Sequence, residues 1–159
     1  MISIIIPAYN EEKYIGKTLR SLQKQTFKDY EIIVVANGCD DNTVDVAETY
    51  TDNIYIIKEK NVSLARNTGA SHATGEILVF LDADTRLAEN ALEEINKQFN
   101  KAVGTLITRA NTHFIFYRAV FEMKNFLHKT GLYHGSSGVI IASNVLFKKV
   151  DGFDVRLKI

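Results

Sequence analysis

A chain of 159 residues, 46% hydrophobic and 24% charged, carries enough apolar material to bury one domain's core, which argues against disorder. Its nineteen Lys and Arg balance nineteen Asp and Glu, so the excess positive charge that holds a nucleic acid is missing. The single Cys39 makes no intrachain disulfide, the start Met1-Ile2-Ser3 lacks a signal peptide's basic and apolar regions, and no apolar run approaches the roughly 20 residues that span a bilayer. These features fit a cytoplasmic location, with any membrane contact peripheral, at the inner face.

In chain order, Ile2 to Pro7 reads as a β-branched strand closed by the only proline. Asn10 follows as a helix N-cap, with Glu11 and Glu12 in the first turn and Ile15, Leu19 and Leu22 at helical spacing to about Gln25. Tyr30 to Val35 is a second strand, broken at Asn37-Gly38, and a helix from about Asn42 to Tyr50 leads into a third strand, Asn53 to Ile57. A helix over Ser63 to Ala73 stops near Thr74-Gly75. Glu76 to Leu81 is then an unbroken apolar strand of the kind covered on both faces, and Leu87, Ala91, Leu92, Ile95 and Phe99 mark a further helix. Beyond it the pattern is less regular: a strand at Gly104 to Thr108, an aromatic-rich helix at Phe114 to Lys129, and a strand at Gly138 to Ala142. Strands alternating with helices predict an α/β fold, a mainly parallel sheet with right-handed crossovers, in a single domain.

Four segments carry polar groups to the ends of these strands. Asp82 and Asp84, in Phe80-Leu81-Asp82-Ala83-Asp84-Thr85, stand two residues apart where the apolar strand runs out, and alternation along a strand would aim both at one small volume. Two hard oxygen donors there suit a Mg²⁺ or Mn²⁺ ion carried in with a phosphate; a solvated turn is the plain alternative. In Pro7-Ala8-Tyr9-Asn10-Glu11-Glu12, backbone groups at a helix start could take a polar ligand and Tyr9 could offer a face to a base, or could be a core tyrosine. Asn37, in Ala36-Asn37-Gly38-Cys39-Asp40-Asp41-Asn42-Thr43, could hydrogen-bond a nucleobase edge or belong only to a turn before an acidic cap. Arg66, in Ala65-Arg66-Asn67-Thr68-Gly69, could neutralise a phosphate through its planar fork or lie solvated on its helix.

In this order and spacing, the four segments resemble the nucleotide-sugar-binding half of family-2 glycosyltransferases with the GT-A fold. Gly152-Phe153-Asp154, preceded by Val145-Leu146-Phe147-Lys148-Lys149-Val150, resembles the family's later acceptor-side signature. The resemblance implies a Rossmann-like sheet flanked by helices, residues 1–103 forming the nucleotide-sugar and metal-binding half and residues 104–159 part of the acceptor side. It places Pro7, Ala8, Tyr9 and Glu11 around the nucleoside, Asn37 at the base, Arg66 near base or phosphate, Asp82 and Ala83 by the ribose, and Asp84 with Asp82 on a divalent cation, Mn²⁺ or Mg²⁺. The expected partners are a nucleotide-diphosphate sugar and a saccharide or lipid-phosphate acceptor, with transfer by inversion.

Two departures from the family pattern bear on activity. An Asp-Asp pair is common after the second strand, where this chain has Ala36-Asn37, so an amide replaces an acidic acceptor and uridine recognition is no longer the default. The family's carboxylate base lies a few residues beyond Gly-Phe-Asp, whereas this chain stops at Arg156-Leu157-Lys158-Ile159; Asp151 and Asp154 precede that position and are expected to shape the turn around Gly152. The base is therefore expected beyond Ile159, in a longer form. The truncated chain is expected to bind donor and transfer sugar poorly, the alternative reading being a nucleotide-diphosphate-binding module without turnover. The aromatics Phe114, Phe116, Tyr117, Phe121, Phe126 and Tyr133 read as core packing before acceptor groove, and loss of a covering tail would expose them and favour self-association.

Other constellations fail. Gly16-Lys17-Thr18 lacks the earlier glycine of a phosphate-binding loop, no Gly-x-Gly-x-x-Gly follows the first strand, and His72, His113, His128 and His134 have no zinc spacing. Gly135-Ser136-Ser137-Gly138 is not a nucleophile elbow, and Cys39 has no sequence partner for thiol catalysis.

Overall fold

A computed structural model describes residues 1–100, 103–106 and 138–156, together with Met123 and Phe126. Its strands are β1 (Ile2–Ala8), β2 (Tyr30–Asn37), β3 (Ile54–Ile57), β4 (Ile77–Leu81), β5 (Val103–Gly104) and β6 (Val139–Ser143), and its helices α1 (Ile15–Gln23), α2 (Thr43–Glu48), α3 (Val62–His72), α4 (Ala91–Gln98) and α5 (Asn144–Lys149). They build one sheet in the order β3-β2-β1-β4-β6-β5. The β1, β2, β3 and β4 pairings are parallel, whereas β6 runs antiparallel to both β4 and β5. The expected α/β architecture is thus present.

The sheet is buried on both faces because β1, β2 and β4 are apolar at successive positions. Ile2, Ile4, Ile6, Val34, Val79 and Leu81 pack on one side with Leu19 and Leu22 of α1 and Leu92 and Ile95 of α4. Ile5, Ile33, Val35, Leu78 and Phe80 pack on the other with Ala65 and Ala70 of α3, and Phe147 and Phe153 close over them. Burying each of these large side chains contributes about 1.5–3 kcal/mol before the entropy of ordering is subtracted.

Local expectations needed correction in four places. Asn10 does not cap a helix: it takes a left-handed φ of 53°, Glu12 to Tyr14 form a turn, and α1 starts only at Ile15. Long-range bonds override the local signal, because Asn10 Oδ1 accepts from Asp40 N–H (2.8 Å) and Glu11 N–H donates to Thr43 Oγ1 (2.7 Å). Helix α3 starts one residue earlier than expected, since Asn61 Oδ1 caps it by accepting from Leu64 N–H (3.0 Å). Helix α4 begins at Ala91 rather than Leu87, after a turn that Gln25 ties down: its Nε2 donates to Ala88 O (2.7 Å) and its Oε1 accepts from Leu92 N–H (3.0 Å). Strand β5 ends at Gly104, so Thr105 and Leu106 of the expected Gly104–Thr108 strand lie beyond it, and the rest of that stretch falls outside the described residues. The expected aromatic helix at Phe114 to Lys129 also lies outside them, apart from Met123 and Phe126, both exposed.

Candidate functional site

The strand order reverses at β1, whose successors in the chain lie to either side, β2 on one flank and β4 on the other. In an open α/β sheet, that reversal leaves a crevice at the carboxyl ends of the two central strands. The ends of β1 and β4 deliver Tyr9, Glu11, Asp82 and Asp84 there, β2 delivers Asn37, and the first turns of α3 deliver Arg66.

Beyond Leu81 the chain leaves the sheet, so strand alternation does not place the Asp pair as expected. Instead Asp82 to Thr85 form a turn closed by Thr85 N–H donating to Asp82 O (3.0 Å), with Asp82 N–H held by Gly138 O of the neighbouring segment (2.9 Å). Ala83 is buried under this turn, and its carbonyl accepts from the buried Thr18 Oγ1 of α1 (2.7 Å). The turn is therefore fixed from below, with Asp84 exposed and Asp82 partly exposed above it.

Asp82 Oδ1 accepts from Arg66 Nη2 at 3.2 Å. The Arg66 side chain is only 13% exposed, its guanidinium carbon lies 5.3 Å from the centre of the Phe153 ring, and its Nε is buried without a partner among the described residues. A buried, unpaired charged N–H costs about 1–3 kcal/mol, a cost that an anionic ligand oxygen would remove. The solvated-arginine reading is excluded by this burial.

Glu11 shows the field that the carboxylates create. Burial, and then the charges of Asp84, Asp41 and Asp82, push its pKa above the ordinary 4.5. A carboxyl whose folded pKa is raised contributes stability that is fully present below its unfolded value and lost as pH rises through the folded value. Glu11→Gln is accordingly expected to raise Tm at pH 7, with the gain vanishing below pH 4.5; thermal melts at the two pH values check this. A divalent cation near Asp82 and Asp84 would neutralise the same field, so the donor set fits such an ion. Among the described residues no three His, Cys, Asp or Glu side chains converge as a complete metal cage. Two carboxylates plus ligand phosphates is the usual arrangement for a magnesium-like ion.

The residues expected at the nucleoside divide into buried walls and exposed groups. Pro7 and Ala8 are buried within β1, and the Ala8 carbonyl accepts from Cys39 Sγ (3.2 Å). Tyr9 is 43% exposed rather than core, with Lys60 Nζ donating to its hydroxyl (2.7 Å) and lying 4.7 Å from its ring centre. Asn37 is buried, and its Oδ1 accepts from Asn61 N–H (2.8 Å), which occupies one lone pair of that oxygen while the amide N–H groups have no partner among the described residues. Asp41, just before the N-cap Asn42 of α2, accepts at its Oδ1 from Thr43 N–H (3.0 Å).

Sequence reasoning missed Lys60, Asn61 and Asn67 as parts of this site. Asn67 stood within a quoted motif, but its pairing with Phe153, 86 positions away, has no local signal. Asp151 and Gly152 take left-handed φ values of 58° and 75°, and Asp154 is paired with Arg156 (2.7 Å), so both acids belong to the turn around Gly152.

Residues 3–151 match the profile of Glycosyl transferase family 2. The chain is 31% identical, over an alignment 176 positions long, to the uncharacterized glycosyltransferase RT0329 of Rickettsia typhi, covering 99% of this chain and 55% of that protein. It is 32% identical over 126 residues to glycosyltransferase GlyA of Streptococcus pneumoniae, covering 73% of this chain and 18% of that one. The chain thus spans about half, or less, of the length of these curated relatives. In structure it is similar to S. aureus TarS 1-349 in complex with UDP (TM-score 0.75, 24% identity, 99% of this chain and 51% of that one). It is also similar to the mannosyltransferase PcManGT of Pyrobaculum calidifontis in complex with GDP-Man and Mn²⁺ (TM-score 0.74, 24% identity, 98% and 48%). At this identity the likeness concerns the fold.

Proposed function

Since the chain belongs to glycosyl transferase family 2, we propose that its β1/β4 crevice holds a nucleotide-diphosphate sugar with a divalent cation and serves inverting transfer of the sugar to an acceptor hydroxyl. The observation that carries this reading is the convergence at one crevice of Glu11, raised by Asp84, Asp41 and Asp82, with Arg66 and its unpaired buried Nε. An acidic pocket with an arginine at its wall suits a metal-bound diphosphate better than a free anion or a free cation.

In this reading Asp84 and Asp82 hold the cation, and Arg66 meets the diphosphate. A cation held by Asp84 and Asp82 would supply Lewis-acid stabilisation of the negative charge on a leaving diphosphate. Tyr9 offers its exposed ring to the nucleoside against the buried wall of Pro7 and Ala8, and Ala83 closes the ribose side. The acceptor's proton goes to a carboxylate base, a role for which Asp154 is poorly suited because hydrogen bonds from Arg156 lower its pKa.

Asn37 bears on the nucleotide. With its oxygen engaged by Asn61 N–H, it presents a donor where the family pattern presents an acidic acceptor. UDP and GDP, the nucleotides held by the two structural relatives, offer different base edges to that donor. A hydrogen bond gained or an orphaned donor changes affinity by about 1–3 kcal/mol, so the two nucleotides should differ by about tenfold or more. Calorimetric titration of UDP and GDP with Mn²⁺, and again with a chelator, tests both points. Strong metal-dependent binding of one nucleotide is the expected result. Near-equal affinities would sink the Asn37 reading, and no metal-dependent binding of either would sink the proposed function. No helix among the described residues is long and apolar enough to cross a membrane, and the acceptor is sought among saccharides and lipid phosphates.

A further inference from the structure

Helix α3 holds the turn after α5 by three side chains. Asn67 bonds the Phe153 backbone in both directions, its Nδ2 donating to Phe153 O (2.8 Å) and its Oδ1 accepting from Phe153 N–H (2.9 Å). Asn61 Nδ2 donates to Val155 O (2.8 Å), and Arg66 lies over the Phe153 ring, 5.3 Å from its centre. Gly152 makes the approach feasible: its φ is +75°, and a Cβ there would stand 2.5 Å from Asn67 Oδ1. The ring of Phe153 is fixed in turn against Phe80 and Phe147, with centroids 5.1 and 5.4 Å away.

We infer that Asn67 is a positioning residue for Arg66, acting by pinning the Phe153 turn as the surface on which the guanidinium rests. Resting on the proposed nucleotide site, this assigns the Gly152-Phe153 turn a donor-side task. Among the described residues Arg66 has one ion-pair partner, Asp82, reached through a single 3.2 Å bond, and solvent at the 42% exposed Asp82 side chain screens that pair. One screened bond is too little to hold a long side chain with a buried, unpaired Nε in one rotamer. The aromatic platform supplies the rest, since the electron-rich face of a ring attracts a cation lying over it. The platform's place depends on two hydrogen bonds from a single amide. Motifs 86 residues apart therefore form one body, and the turn on the acceptor side sets the geometry of the donor arginine.

The test compares Asn67→Ala, Asn67→Asp and Phe153→Leu with the unaltered chain. Asparagine-to-aspartate keeps the acceptor for Phe153 N–H but sets a carboxylate oxygen against the Phe153 carbonyl in place of the donor, so it should act in the same direction, and it decides the matter if the alanine variant does not fold. Two readouts are used. The Arg66 Nε–H resonance in ¹⁵N NMR should be ring-shifted and protected from exchange in the unaltered chain, and should move and exchange faster in all three variants. The affinity for Mn²⁺ with UDP or GDP, whichever binds tighter, should fall about tenfold in the folded Asn67 variants, as misplacement of a positioned group does. It should fall no further when Phe153→Leu is added. An unshifted Arg66 resonance in the Asn67 variants, or additive losses in the double variant, would overturn the inference. Absence of nucleotide binding by the unaltered chain overturns the proposed function instead, and the Arg66 resonance still decides the role of Asn67.

Discussion

Asp84→Asn is expected to lower metal-dependent nucleotide affinity by about a hundredfold while leaving the fold intact. The estimate is conservative, because even outer partners of a metal site typically cost about 10–100-fold in metal affinity when removed. Asp84 is exposed, and the one bond its side chain makes among the described residues is a long one from Thr85 Oγ1 (3.4 Å), so little structure depends on it. Its charge also helps raise Glu11, so neutralising it relieves repulsion, and Tm at pH 7 should stay level or rise. Lost binding with retained stability is the signature of a ligand-facing carboxylate. Asp82→Asn should lose affinity too, but it also removes the partner of Arg66 and should cost some stability. Glu93→Gln, an exposed carboxylate paired with Lys97 on α4, serves as the control and should change affinity by less than about twofold. Calorimetry with Mn²⁺ and UDP or GDP, alongside thermal melts, separates these outcomes; unchanged affinity in Asp84→Asn would remove the cation from the proposed site.

What could be read in the sequence follows from where each signal is local. Ile2 to Pro7 and Ile77 to Leu81 were legible as strands because burial on both faces demands uninterrupted apolar residues, and Ile15, Leu19 and Leu22 as a helix because burial of one face demands their spacing. The motif residues were legible as a set, and the sheet order brings their strand ends to one crevice. The antiparallel course of β6 was not legible, since Val139 to Ala142 looks as apolar as any parallel strand. The start of α1 was misread because Asn10 and Glu11 answer to Asp40 and Thr43, some thirty residues away, rather than to their own helix. Asn37 illustrates the same limit at the site. Its amide was readable as donor or acceptor, and only the approach of Asn61 N–H commits its oxygen. Local chemistry is thus visible in the chain, whereas the allocation of hydrogen bonds between distant segments is a property of the folded sheet.

Gly69→Ala should lower stability by about 1–3 kcal/mol or more through overpacking. Helix propensity alone would predict the opposite, because alanine gains about 1 kcal/mol over glycine inside a helix. Contact decides the sign. A Cβ at position 69 would lie 2.4 Å from Ile5 Cγ2 and 3.2 Å from Val35 Cγ2, both in fully buried side chains of the central strands. Neither can swing into solvent, so α3 must lift from the sheet. Denaturant unfolding should show a lower midpoint with an unchanged slope, and Gly69→Ala should cost less when made in an Ile5→Ala background, where the contact is vacated, a non-additivity expected only for touching groups. The same lift displaces Arg66 and Asn67, which stand on the helix that Gly69 seats, so the folded fraction of Gly69→Ala should also bind Mn²⁺ and nucleotide more weakly. A full-strength site on a destabilised Gly69→Ala protein would mean that the crevice does not depend on how closely α3 sits against β1.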